Sequence, residues 1–263
     1  MKSPLRYPGG KTRARQLIYN KLKEYGFLES TISKLYSPFF GGGSFELFLQ
    51  EKTNCQIVAN DLFTPLHSFW NSLYYNKEEL ITMIRNNHPT NKENFTRFRE
   101  QILTLNHEKL TQATYYYIIN RCSFSGATLS GGFSQQSADG RFTLKQINQM
   151  NDELLTNFEI HNLTFQDFFQ QYIPQNISRD ELIFLDPPYY IESKLYGNKG
   201  DLHENFKHEE LARILSNYQR WILCYNDCPY IRDLYKTNLI IPVEWSYGMN
   251  SSKKSNEIFI LKI

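Results

Sequence analysis

The feature that most narrows the fold is a run of three glycines between an apolar segment and a helix-patterned one. Lys34 to Phe40 (KLYSPFF) has strand character and runs into Gly41-Gly42-Gly43. Ser44 to Glu51 (SFELFLQE) has helical spacing, and Gln56 to Ala59 (QIVA) is a short apolar strand ending at Asn60-Asp61. Strand, glycine turn, helix, strand and acid, in that order, make the front half of a nucleotide-binding α/β unit. Glycine lets the backbone turn tightly and approach a ligand, because no Cβ stands in the way. In such sheets an acid about 20 residues further on accepts hydrogen bonds from ribose hydroxyls, and Asp61 has that place. The G-x-x-x-x-G-K-[ST] phosphate loop does not occur, so a ribose-bearing ligand without phosphates fits better than a triphosphate.

A second motif points to the chemistry. Asp186-Pro187-Pro188-Tyr189 directly follows the apolar strand Leu182 to Leu185 (LIFL), and open α/β sheets bind ligands at the carboxyl ends of their strands. An amino group on an aromatic base is a poor nucleophile because its lone pair is delocalised into the ring. Two acceptors, the Asp186 carboxylate and the Pro187 carbonyl, would hold both N–H bonds and favour a pyramidal nitrogen with its lone pair aimed outward. Proline keeps that carbonyl from swinging away, and Tyr189 offers a face for a base that has left its duplex. Asp and Pro also make ordinary strand-ending turns, so the weight lies in the position and in the partner motif. At the N-terminus, Pro4 to Lys11 (PLRYPGGK) presents a lysine on a glycine turn, suited to pairing with a carboxylate.

Between the motifs the character changes. Thr12 to Tyr25 reads as a helix, and Leu66 to about Asn120 is helical in pattern and studded with Lys, Arg and Asn. Ser123 to Arg141 is Gly/Ser-rich and should form loops or a hairpin. Strands resume at Glu159 to Phe165, Leu182 to Leu185, Trp221 to Tyr225 and Glu257 to Ile263, with a helix from His208 to Leu215. The middle thus reads as an insertion, residues 65–147, in one catalytic domain made of 1–64 and 148–263.

A net charge of +2 provides no global basic field, so a nucleic acid would be held by local clusters. Lys92, Arg97, Arg99 and Lys109 could meet phosphates, as could Lys253 and Lys254. Aromatic residues make up 15% of the chain; most at that level fill a core, and some could stack on bases. The four cysteines form no paired C-x-x-C pattern and the six histidines no metal-binding pattern, so no metal site is expected. No Pro-Cys pair is present for nucleophilic attack on a cytosine ring. Neither a secretion signal nor an apolar run of about 18 residues is found, so a cytoplasmic protein away from membranes is expected.

Taken in order, the motifs resemble those of the Dam-like, D12-class adenine-N6 DNA methyltransferases. PLRYPGGK is similar to that family's N-terminal motif, FFGGGS to its methyl-donor loop, Ala59-Asn60-Asp61 to its ribose-binding acid, and LDPPY to its catalytic motif. LTFQDF resembles its adenosine-contacting segment and SNEIFILKI its closing strand. The resemblance implies a Rossmann-like S-adenosylmethionine-dependent methyltransferase fold with an inserted, mostly helical DNA-recognition subdomain containing a hairpin. It implies S-adenosyl-L-methionine as cofactor, double-stranded DNA as partner, and methyl transfer to adenine N6 of a flipped base. It also implies a restriction–modification setting, with a cognate endonuclease acting separately. Asp186, Pro187 and Tyr189 become the catalytic set. Tyr7, Lys11, Asp61 and Asp186 become cofactor contacts, with Phe40, Gly41, Gly43 and Asp167 beside them.

One segment departs from the pattern. Asn120 to Gly126 (NRCSFSG) resembles the signature before the recognition hairpin, where the best-known GATC methylases carry Asn just before the glycine and Arg a few residues after it. Here Ser125 and Leu129 stand there. Arg and Asn make the bidentate contacts to guanine and adenine edges, so a target other than GATC is expected. Ser123, Phe124, Ser125, Ser130, Gln135, Gln136 and Arg141 are the candidate readers. Cytosine-N4 or RNA methylation and a catalytically inactive DNA-binding relative are the competing readings; Asp rather than Ser at the head of D-P-P-Y favours adenine.

Overall fold

The central strands are apolar on both faces, as in a sheet covered by helices on both sides. The computed structural model, which describes residues 2–105, 108–151, 155–190, 206–244 and 256–263, has that architecture. Its strands are β1 (Lys34–Ser37), β2 (Gln56–Asn60), β3 (Phe158–His161), β4 (Glu181–Leu185), β5 (Trp221–Asn226), β6 (Leu239–Val243) and β7 (Glu257–Lys262). They form one seven-stranded sheet in the order β3-β2-β1-β4-β5-β7-β6. Strands β1 to β5 are parallel, and β7 runs antiparallel between β5 and β6.

Alternation along each strand feeds two layers. Leu35, Ile57, Leu182, Phe184 and Phe259 face one core; Tyr36, Val58, Ile183, Leu185 and Ile258 face the other. The first core is covered by α1 (Arg15–Glu24), α2 (Glu46–Thr53), α3 (Thr64–Tyr75), α4 (Lys77–Asn86), α5 (Lys92–Gln101) and α6 (Lys109–Cys122). The short helices α7 (Gln135–Arg141) and α8 (Leu144–Asn148) follow. The second core is covered by α9 (Phe165–Tyr172), α10 (His208–Leu215) and α11 (Pro229–Leu234). Strand order runs outward from β1 in one direction and from β4 in the other. The connections therefore part above β1 and β4 and leave a crevice at their carboxyl ends.

Three local expectations change. The first strand stops at Ser37 instead of Phe40, because Pro38 has no N–H for the ladder. The expected strand Glu159 to Phe165 is split into β3 and the start of α9. Thr164 caps that helix, its hydroxyl accepting from Asp167 N–H at 3.2 Å and donating to the Asp167 carboxylate at 2.6 Å. The expected hairpin in 123–141 is not formed. A 3-10 turn (Phe124–Gly126) and a lone Ser123–Phe133 bridge precede α7, which Ser134 caps through Ser137 N–H. Gln135, Gln136 and Arg141 therefore lie on a helix, not on a hairpin.

Candidate active site

The site assembles from three chain segments at the crevice. The glycine turn follows β1, with Gly41 at φ +51° and Gly43 at φ +61°, backbone that L side chains avoid. Gly41 N–H donates to Asp61 Oδ2 at 2.9 Å, and Phe63 N–H donates to Oδ1 at 2.9 Å. Gly43 N–H donates to Phe40 O. The amides of Gly41 and Gly43 are thus engaged within the protein, unlike those of a phosphate cradle. Burial pushes the Asp61 carboxyl up to about 6 even against these two N–H bonds.

The N-terminal loop bridges this turn to the second motif. Tyr7 lies on the glycines: a Cβ added to Gly42 would come within 2.7 Å of the Tyr7 Cβ, and one on Gly41 within 3.0 Å of its ring. Tyr7 nevertheless keeps 43% of its surface open. Four residues on, Lys11 is 3% exposed and its ammonium grips both oxygens of Asp186, at 2.7 and 2.8 Å. Sequence reasoning gives Lys11 a ligand carboxylate; the fold gives it a protein one. Burial raises the Asp186 carboxyl above its ordinary range, and the Lys11 charge opposes that shift.

Two carboxylates that sequence reasoning missed complete the cluster. Glu257 opens β7, is 3% exposed, accepts a hydrogen bond from the Tyr189 hydroxyl and stands 3.9 Å from the Lys11 ammonium. Glu46, on the buried side of α2, accepts from the Ser37 hydroxyl at 2.7 Å. Burial lifts Glu46 to about 7, with nearby Asp186 adding to the rise and Lys11 opposing it. Each was visible only as an acid bordering apolar residues, Glu257 at the head of EIFILKI and Glu46 within SFELFL.

Other expected residues are spread more widely. Phe40 turns into the core, 5.1 Å from the Trp70 ring and 5.4 Å from Phe158. Asp167 is exposed in the first turn of α9, its carboxylate bonded to Thr164. Pro187 is buried. In the recognition segment, Ser123 is buried, with its hydroxyl bonded to Thr128 N–H and Asn120 O. Phe124 is 69% exposed. Ser125 has its backbone in the 3-10 turn. Ser130 donates to Ala127 O and Gln135 to Asp139, while Gln136 and Arg141 are exposed. Arg99 donates to Gly131 O. Lys253 and Lys254 lie outside the described residues.

A doubly covered parallel sheet with a charged crevice at its switch point defines an α/β enzyme of the nucleotide-handling kind. Residues 7–249 match the family model of the D12 class N6 adenine-specific DNA methyltransferases. The chain belongs to that family and is an adenine-specific DNA methyltransferase, with DNA as its substrate. A search of curated proteins gives no match. No helix among the described residues is long and apolar enough to cross a membrane.

Proposed function

We propose that the chain moves a methyl group from S-adenosyl-L-methionine to adenine N6 in double-stranded DNA, on a base turned out of the helix. The observation that carries this reading is one loop with two anchors, Tyr7 on the glycine turn and Lys11 on Asp186. The donor motif and the acceptor motif are therefore tied to one short loop. The cofactor, when bound, supplies an electrophilic methyl group on a positively charged sulfur. Asp61 suits its ribose, since a carboxylate has about four acceptor sites and two of them face Gly41 and Phe63. The engaged Gly41 and Gly43 amides suit a ligand without phosphates.

On the acceptor side, Asp186 takes one N–H of the amine and the Pro187 carbonyl the other, with the ring of Tyr189 beneath the base. Lys11, held on both Asp186 oxygens, keeps that carboxylate from rotating away. Orientation of this kind supplies most of the rate, because the sulfonium is already a good leaving group. Residues 65–147 serve as the inserted recognition subdomain. Arg141, exposed at the end of α7, offers a positive charge for the DNA backbone, while the guanidinium groups of Arg6 and Arg121 are engaged by carbonyls within the protein. The target is a short sequence other than GATC, read from residues 123–141.

Expression in a methylation-free host, followed by modified-base sequencing and labelled-methyl transfer, tests the whole reading. N6-methyladenine at one short non-GATC site is expected, and Asp186→Ala should lower transfer by at least ~10²-fold, as loss of one preorganised polar group does. Modification of GATC refutes the target, modification of cytosine refutes the acceptor, and full activity of Asp186→Ala refutes the site.

A further inference from the structure

We infer that Glu257 is a positioning residue that fixes the Tyr189 ring, and through it the surface on which the target base rests. The inference depends on the reading above in which Tyr189 carries that base. Glu257 lies beyond residue 249, where the family match ends.

The case begins with topology. Glu257 is the first residue of β7 and pairs with Asn226 and Val243, the last residues of β5 and β6. A parallel strand in this slot would bring its final residue to the carboxyl edge. An antiparallel one brings its first, so a carboxylate from the far end of the sequence is delivered beside D-P-P-Y. A buried carboxylate is costly unless it has partners, and two partners are present. The Tyr189 hydroxyl donates to Glu257 Oε2, and the Lys11 ammonium stands 3.9 Å from the same oxygen.

Those partners explain what the carboxylate does. Pro187 and Pro188 restrict the backbone of the turn, but not the side-chain torsions of Tyr189. Asn226, beside Glu257 in register, donates to the Tyr190 carbonyl at 2.7 Å and holds the chain just past the ring. The hydrogen bond to Glu257 then holds the ring's far end, with the Lys11 ammonium 5.1 Å from its centroid and the Asp186 carboxylate also hydrogen-bonded to Tyr189. Lys11 also grips Asp186. The ring under the base and the carboxylate holding its amine thus belong to one connected frame, which lowers the ordering that these groups need when the base arrives.

A double-mutant cycle on the full chain tests this, with Tyr189→Phe, Glu257→Met and the pair; methionine keeps the length of the side chain and removes the oxygen acceptor. The readouts are kcat and KM for labelled S-adenosylmethionine on unmethylated genomic DNA, with thermal midpoints alongside. Each single variant should lower kcat by about tenfold with KM changed by less than about threefold, and the double variant should be no slower than the worse single one. Losses that multiply to about 100-fold, or a native kcat in Glu257→Met, overturn the inference. If Glu257→Met does not fold, Tyr189→Phe breaks the same bond from the other side, and a native kcat there overturns it equally. Tyr189→Leu separates the two levels. A native kcat in that variant sinks the base-stacking reading itself, whereas loss in Tyr189→Leu with none in Glu257→Met sinks only the role of Glu257.

Discussion

At the scale of single residues, the glycine turn is the part least open to change. Gly43 combines a positive φ with a Phe40 ring 2.6 Å from where a Cβ would stand. Gly9 has a similar φ of +74° with nothing within 4 Å. Both alanine variants meet the left-handed backbone penalty of about 1–2 kcal/mol. Gly43→Ala alone should add about 1–3 kcal/mol of overpacking. Urea midpoints read the difference, and equal losses at the two positions would remove the packing argument. The candidate site was legible only in part. Asp186, Lys11, Gly41 and Asp61 stand out because their motifs recur in a fixed order and spacing, although each motif alone has ordinary structural uses. Glu46 and Glu257 do not, since an acid bordering apolar residues has no periodic partner and acquires meaning only from the neighbours that folding gives it. Phe40 stands in the right motif, yet its ring is claimed by Trp70 and Phe158.

At the scale of elements, residues 4–11 act as a strap that no periodicity predicts. Arg6 N–H donates to Asn120 Oδ1 at 2.9 Å, and its guanidinium reaches the carbonyls of Arg121 and Ser123. Arg121 donates back to Pro4 O at 3.2 Å. The strap thereby joins the end of α6, where the candidate recognition residues begin, to Lys11 in the crevice. Gly126, at φ +74°, makes room for it: a Cβ there would come within 2.7 Å of the Arg6 Cβ and 3.0 Å of its carbonyl oxygen. Gly126→Ala should therefore loosen the strap and speed hydrogen exchange at the Arg6 amide by about five- to tenfold, the worth of one hydrogen bond. An unaltered exchange rate would show the strap to be independent of that turn. Elements with long apolar runs, such as LIFL and WILCY, were readable from sequence. Those set by one cap were not: Thr164 and Ser134 each start a helix where composition alone suggests strand or loop.

For the molecule as a whole, the buried acids tie folding to pH. Glu46 has a folded value of about 7 against an ordinary 4.5, and Asp61 about 6 against 3.8, both raised by burial. A raised carboxyl means that the folded state holds the proton more tightly, so this contribution is full below the ordinary value and lost as pH climbs through the folded one. The chain should lose about 2 kcal/mol from Glu46 alone between about pH 5.5 and 8. Glu46, faced by Ser37, Asp186 and Lys11, can be isolated by Glu46→Gln, which should flatten that part of a urea-midpoint profile. A superimposable profile would assign the pH dependence to other groups. The α/β class was clear from the first motif, but the strand order was not, because β7 reads as any apolar strand and only pairing reveals its direction.

That direction has a geometric consequence. Lys262 pairs with Trp221, at the opening of β5, so the backbone leaves β7 on the side of the sheet opposite the crevice. Any chain that continues past Ile263 starts from the side of the sheet opposite the crevice. The two ends of this strand thus serve opposite sides of the sheet: Glu257 stands against Tyr189, while the Lys262 ammonium is tied to Ser216 O at 2.7 Å.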